Sequence, residues 1–310
     1  MRIVSLLPSA TEIAFALGLG DQVVAVSHEC DYPPEVRGRP VAVRCVFDPS
    51  GMTAAEIDAT VRSLVLKGRP IYQVEWGVLE AVHPDLVLTQ GLCEVCAVPE
   101  REVLKGLERL YPRPRILSLD PHGLEDVLQD ILRVGEATGT LARASMVVAN
   151  LRRRIQRVAE ATRAVATRPR VVCLEWLDPL FVGGHWVPEM VALAGGVDVL
   201  GKVGRPSFTV SWEQVVAAQP EVLVLMPCGY SASQAAEQVH LLAQRPGWGE
   251  LPAVQAGRVF ATNAHAYYSR SGPRLVDGLE MLAEMLHPQV FQGFLGPERA
   301  FAVPLPALVK

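Results

Sequence analysis

Arg2-Ile3-Val4-Ser5-Leu6-Leu7-Pro8-Ser9-Ala10-Thr11-Glu12 opens the chain and decides the reading of its fold. Residues Arg2–Leu6 form a short apolar run of strand length, and Pro8-Ser9 ends it. Ser9 with Glu12 three residues later has the form of a capping box, so a helix is expected at once after the strand. Leu17-Gly18 supplies the glycine that closes such a helix. A strand turning directly into a helix is the opening of an α/β layer.

The same alternation continues outward. Strands are expected at Gln22–Ser27, Asp85–Thr89 and Arg115–Leu119. Helices are expected from the Thr53-Ala54-Ala55-Glu56 capping box to about Lys67, and over Pro99–Leu110. From Leu124 to about Thr167 nothing resembles a strand, and after Gly135 and Gly139 the run Leu141–Ala166 reads as one long helix. Arg152, Arg153, Arg154 and Arg157 are expected to lie partly on its solvated face.

The pattern then restarts. Strands are expected at Arg170–Leu174, Val222–Met226 and Arg258–Ala261. Helices are expected at Val187–Leu193, Trp212–Ala218, Ser231–Gln244 and Gly272–Leu286. His83-Pro84-Asp85-Leu86-Val87-Leu88 is echoed by Gln219-Pro220-Glu221-Val222-Leu223-Val224, each a helix end, a Pro-acid pair and a buried strand. The fold class is α/β: two Rossmann-like lobes with parallel sheets, joined by a long α-helical spine. The divisions are 1–137 for the first lobe, 138–167 for the spine, 168–287 for the second lobe and 288–310 for a wrapped or mobile tail. Two such lobes are built to clamp a ligand in a cleft.

Composition narrows the function. Half of the 310 residues are hydrophobic, enough for more than one core. A net charge of −4 gives no basic surface for nucleic acid. No apolar run reaches the roughly 20 residues that span a bilayer. Met1 opens the first strand, so the sequence as it stands reads as cytoplasmic. A start trimmed at a cleavage site looks the same and implies a periplasmic or cell-surface protein. A monomer is expected.

Ligands of parallel sheets sit beyond the carboxyl ends of the strands. Tyr32, Trp176, Phe181, Trp186, Tyr230, Tyr267 and Tyr268 fall at those ends, as do His28, His185, His265, Cys30, Cys93, Cys96 and Cys228. Flat amphipathic rings suit a large planar ligand. Cys93-Glu94-Val95-Cys96 has the spacing that lets two thiolates reach one metal, and equally that of a redox pair. The metal-ligating candidates are therefore His28, Cys30, Cys93, Cys96 and Cys228. Cys45 is expected in a loop, and Cys173 inside a strand as core filler. Arg270 is placed to meet a ligand's anionic or amide edge. Motifs for an activated serine, a phosphate loop, a dinucleotide fingerprint or a zinc protease are absent, so binding without chemistry or a catalytic cofactor is favoured.

The chain resembles the substrate-binding components of ABC importers for vitamin B12 and iron–siderophore complexes. The resemblance rests on residues 2–12 quoted above, Asp31-Tyr32-Pro33-Pro34, His83-Pro84-Asp85-Leu86-Val87, Ala194-Gly195-Gly196, Ser211-Trp212-Glu213-Gln214-Val215 and Ser271-Gly272-Pro273-Arg274. It fits the B12-binding branch better than the siderophore branch. It implies a cobalamin-like corrinoid or other metal chelate as ligand, with Tyr32, Phe181 and Arg270 in contact. Gln90, Ser207 and Ala266 stand at ligand-facing positions where the B12 binders carry two tryptophans and an acid. An ABC permease is the implied partner, docked through Glu213 in the second lobe. Gly77 stands at the first-lobe docking position, two residues from Glu75. The alternative left by the residues alone is a cytosolic metal-ion-binding or thiol-redox protein using the cysteines.

Overall fold

The computed structural model describes residues 1–91, 103, 106–108 and 110–304. Contacts divide the chain into two compact units. The first is Met1–Pro121 with Glu125–Asn150, and the second is His122–Leu124 with Leu151–Lys310. The division falls inside the long helix Leu141–Arg163, so the chain passes between units through helical backbone.

The first unit carries a six-stranded sheet in the order β4-β3-β2-β1-β5-β6. Its strands are β1 (Ile3–Ser5), β2 (Val23–Ser27), β3 (Val41–Cys45), β4 (Tyr72–Val74), β5 (Leu86–Gln90) and β6 (Arg115–Leu119). All pair in parallel except β4, which runs antiparallel to β3. The sequence reading omits β3 and β4. Val41-Ala42-Val43 follows Pro40 closely, and β4 is three residues long at an edge. Cys45 accordingly ends a strand instead of lying in a loop.

Helix Pro8–Ala16 follows β1, but the Ser9–Glu12 capping box does not form. Proline at the first helical position starts the helix two residues early, with Leu7 instead of Ser9 at the cap, and both side chains lie buried inside it. Its other end is as read. Gly18 takes φ +77°, and Leu19 N–H to Ala14 O at 2.9 Å closes the helix. The Thr53 box forms in full and caps helix Ala54–Leu66. Of the expected helix Pro99–Leu110, the described residues Val103, Gly106 and Leu107 are helical.

The second unit holds a seven-stranded sheet, with the path β10-β8-β7-β11-β12-β13 and β9 beside β7. Here β7 is Arg170–Leu177, β8 Leu180–Val182, β9 Val197–Asp198, β10 Phe208–Thr209, β11 Val222–Leu225, β12 Val259–Thr262 and β13 Ala300–Ala302. β11 pairs in parallel with both β7 and β12. Its residues Val222-Leu223-Val224-Leu225 are buried throughout, as expected of a strand covered on both faces. In the tail, Ala300–Ala302 forms a strand not expected from the sequence; it pairs antiparallel with β12, and Phe301 packs on the core. Helices Val187–Leu193 and Trp212–Ala218 match the expected bounds. The expected helix Ser231–Gln244 is instead two, Ala232–Glu237 and His240–Ala243.

The sequence echo is a structural one. His83 and Gln219 both end helices in the left-handed region, at φ +42° and +46°. Asp85 then accepts from Arg2 N–H at 2.7 Å, and Glu221 from Arg170 N–H at 2.9 Å. Each acid thus ties the start of its unit's first strand to the start of the neighbouring one. No helix among the described residues is long and apolar enough to cross a membrane.

Candidate functional site

In the first unit the chain leaves β1 for β2 on one side and reaches β5 on the other. That reversal marks the carboxyl end of β1 as the place where a ligand crevice forms. Ser5 Oγ donates to Leu7 O at 2.9 Å, and Thr11 Oγ1 donates to Ser5 Oγ at 2.8 Å. Thr11 Oγ1 also lies 3.1 Å from Cys30 Sγ, which pins the loop after β2 onto the helix after β1. From that loop Tyr32 projects, 44% exposed. Gln90 ends β5 beside Leu119 and is half-buried.

Within the first unit, the metal-ligating candidates His28 and Cys30 face different partners. His28 Nδ1 faces Val43 O at 3.1 Å and its ring lies 6.0 Å from that of Tyr72, whose hydroxyl donates to Glu29 Oε1. Cys30 turns to Thr11 instead. Cys228 is exposed in the second unit. Cys93 and Cys96 lie outside the described residues. Among the described residues, no group of three or more His, Cys, Asp or Glu side chains is placed to hold a metal ion. Burial pushes the thiols of Cys45 and Cys173 up, away from the thiolate that binds metal.

The second unit gathers the aromatics. Trp176 at the end of β7 stacks on Tyr230 from the loop after β11, with centroids 5.6 Å apart and planes at 14°. The indole N–H of Trp176 donates to Asp178 O at 3.0 Å, which fixes the ring. Phe181 pairs with Trp176 in the β7–β8 register. The loop carrying Tyr230 is held to the turn after β12 by His265 N–H to Tyr230 O at 3.4 Å. In that turn Arg270 is 6% exposed, and its guanidinium is hydrogen-bonded to His265 Nε2. Tyr267 lies under the Arg274 guanidinium, 5.5 Å from ring centre to Cζ. Trp176, Phe181, Tyr230, Tyr267 and Arg270 therefore cluster around the carboxyl ends of β7, β11 and β12.

Trp186 stands apart from that group. It is 5% exposed, and its indole N–H donates to Tyr268 O at 2.8 Å. Its place is in the interior, at the N-cap of helix Val187–Leu193. His185 is half-buried at φ +50°, and its backbone is bonded in both directions to residues 204–205.

The sequence offers Glu175 only as a carboxylate that could pair with Asp178, and gives it no ligand role. Its Oε2 accepts from Ser207 Oγ at 2.6 Å and from Gly184 N–H at 3.4 Å. Burial pushes its carboxyl above the usual range, and those two donors only partly offset it. The signal available was an acid placed directly before Trp176 near the end of a buried strand.

The two docking candidates are near helix starts. Glu213 lies exposed in the first turn of helix Trp212–Ala218, and a hydrogen bond from Ser211 pulls its carboxyl down. Glu75 precedes helix Trp76–Val82 and lies 3.9 Å from Arg44 Nε. Gly77 is exposed, with open space around it.

Two mostly parallel α/β units connected through a long helix define the helical-backbone class of periplasmic binding proteins. The chain belongs to the periplasmic binding protein family, whose model matches residues 3–266. The vitamin B12-binding protein of Vibrio cholerae is 26% identical over 288 residues, 92% of this chain and 88% of that one. An uncharacterized ABC transporter substrate-binding lipoprotein of Bacillus subtilis is 27% identical, covering 94% of this chain and 81% of its own length. The crystal structure of the V. cholerae periplasmic B12-binding protein superposes with a TM-score of 0.64 at 26% identity, covering 93% of this chain and 96% of that one. A periplasmic heme-binding protein from Roseiflexus sp. RS-1, in apo form, gives 0.69 at 25%, covering 93% and 98%.

Proposed function

We propose that this chain is the substrate-binding component of an ABC importer, and that its ligand is a large, flat metal chelate, a cobalamin-like corrinoid first among them. The observation that carries the reading is the stacked pair of Trp176 and Tyr230, with Phe181 beside Trp176, at the carboxyl ends of β7 and β11. Two near-parallel rings offer broad apolar surface at small entropic cost, which is what a planar macrocycle needs. Arg270, braced by His265, supplies a cation for an anionic or amide edge.

The reading gives Glu213 and Glu75 the contact with the permease, because both present carboxylates near helix starts at the surface. It also puts the protein on the outer side of the cytoplasmic membrane, as with the periplasmic and lipoprotein relatives. The B12-binding relatives favour a corrinoid, and the heme-binding structure keeps a porphyrin in the comparison.

Titration of the purified chain with cyanocobalamin, followed by the corrin absorption spectrum, tests the reading. A saturable spectral shift that weakens at least tenfold in W176A supports it. An unchanged spectrum at high micromolar ligand refutes it.

A further inference from the structure

The proposed ligand wall does not use Glu175, yet its carboxyl group is held by two partners from separate segments. Leu174 pairs with Val182 and Trp176 with Phe181, so β7 advances two residues while β8 advances one. Glu175 is the extra residue of this β-bulge, a device that re-aims a side chain. Its Oε2 is held by Ser207 and by Gly184 N–H. Those two partners come from segments locked together by backbone bonds, His185 N–H to Arg205 O at 2.6 Å and Gly204 N–H to His185 O at 2.9 Å. The locking requires His185 at φ +50°, a conformation that costs a non-glycine residue about 1 kcal/mol or more. Gly184 admits no side chain, because a Cβ there would lie 2.4 Å from Ser207 N.

One oxygen is thus fixed in place. The other, Oε1, makes no hydrogen bond among the described residues. Cys228 N–H bonds Glu175 O at 3.1 Å, so the same residue also anchors the loop that carries Tyr230. A half-buried carboxyl with one oxygen uncommitted, next to a stacked aromatic pair, has the form of an orienting polar contact in an apolar site.

We infer that Glu175 is a specificity-determining residue of this site, its Oε1 receiving a peripheral carboxamide of a large ligand that lies on Trp176 and Tyr230. The inference rests on the function proposed above. Chemistry selects the carboxamide. Its N–H donates to an ionised Oε1, and its carbonyl accepts from a protonated one, so both states of the acid are served. A ligand carboxylate is served by the protonated acid alone and is repelled by the ionised one. Glu175 therefore favours a macrocycle edged with carboxamides, as cyanocobalamin is, over one edged with carboxylates, as hemin is.

The test is calorimetric titration of the intact chain, E175A and E175Q with cyanocobalamin and, separately, with hemin. Removing one orienting hydrogen bond in E175A is expected to weaken cyanocobalamin about tenfold and hemin by less than about threefold. E175Q keeps a similar shape and acquires a donor, so the cyanocobalamin-to-hemin affinity ratio is expected to fall about tenfold. A purely structural role for Glu175 would weaken both ligands together and leave that ratio alone. If the ratio is unmoved in both variants while the unchanged chain binds cyanocobalamin, the inference is overturned and the proposed function stands. If the unchanged chain binds no cyanocobalamin, both fall.

Discussion

Replacing Gly184 with alanine puts the packing around Glu175 to a direct test. The new Cβ would sit 2.4 Å from Ser207 N, 2.6 Å from Arg205 O and 2.7 Å from Pro206 C. All three are backbone atoms, so no side-chain rotation relieves the overlap. The segment 205–207 must withdraw by roughly 1 Å to regain van der Waals contact. That movement stretches the 2.6 Å hydrogen bond from Ser207 to Glu175 beyond its range and disturbs the bond from His185 N–H to Arg205 O. Overpacking of this kind costs about 1–3 kcal/mol. A carboxyl left without its hydroxyl partner adds about 1–3 kcal/mol. G184A is expected to lose about 2–6 kcal/mol, a large share of the roughly 5–15 kcal/mol that holds a domain together. Urea unfolding followed by tryptophan emission and far-ultraviolet circular dichroism measures the loss. A variant within about 0.5 kcal/mol of the parent refutes the close packing.

Three further perturbations follow from the same contacts. Arg154 bridges Asp277 and Glu280, and R154A leaves a half-buried and a buried carboxylate without their cation; a loss of about 3 kcal/mol in chemical unfolding is expected, and a loss below about 1 would mean the triad is solvated. Removing the capping hydroxyl in T53A should cost about 1 kcal/mol, while T53S should cost a few tenths, because serine rebuilds the box. His287 is buried, its ring faces Gly195 O at 3.2 Å, and burial pushes its pKa below the ordinary value of 6.5. The unfolded chain therefore binds that proton more readily. Its contribution to stability is full above the ordinary histidine range and is lost as pH falls through the depressed pKa. H287Q should flatten this stretch of the stability–pH curve, and an unchanged slope would count against the buried neutral ring.

The layers of the fold were legible because their signals are local. The Thr53–Glu56 spacing states its own helix start, and Gly18 states a helix end. The paired phrases His83-Pro84-Asp85 and Gln219-Pro220-Glu221 declare two related units, since each acid has the same backbone task. The failures are equally physical. Ser9 and Glu12 have the letters of a capping box, but Pro8 starts the helix before them. β13 has only three residues, and its pairing with β12 comes from a distant part of the chain. Among the aromatics expected at strand ends, Trp176 and Tyr230 stack and Phe181 pairs with Trp176 in register. The sequence marks Glu175 only as an acid near Asp178, because its surroundings come from a bulge, from Ser207 across 32 residues of chain, and from burial. Trp186 carried the letter of a ligand wall, but its N–H is already given to Tyr268 O.

The central claim is that the aromatic end of the second sheet holds a planar chelate. Crystallising the chain with cyanocobalamin tests it most directly. The account predicts corrin density against the Trp176–Tyr230 pair, with a peripheral carboxamide at Glu175 Oε1. Corrin density elsewhere, or none in crystals grown at millimolar ligand, would contradict it.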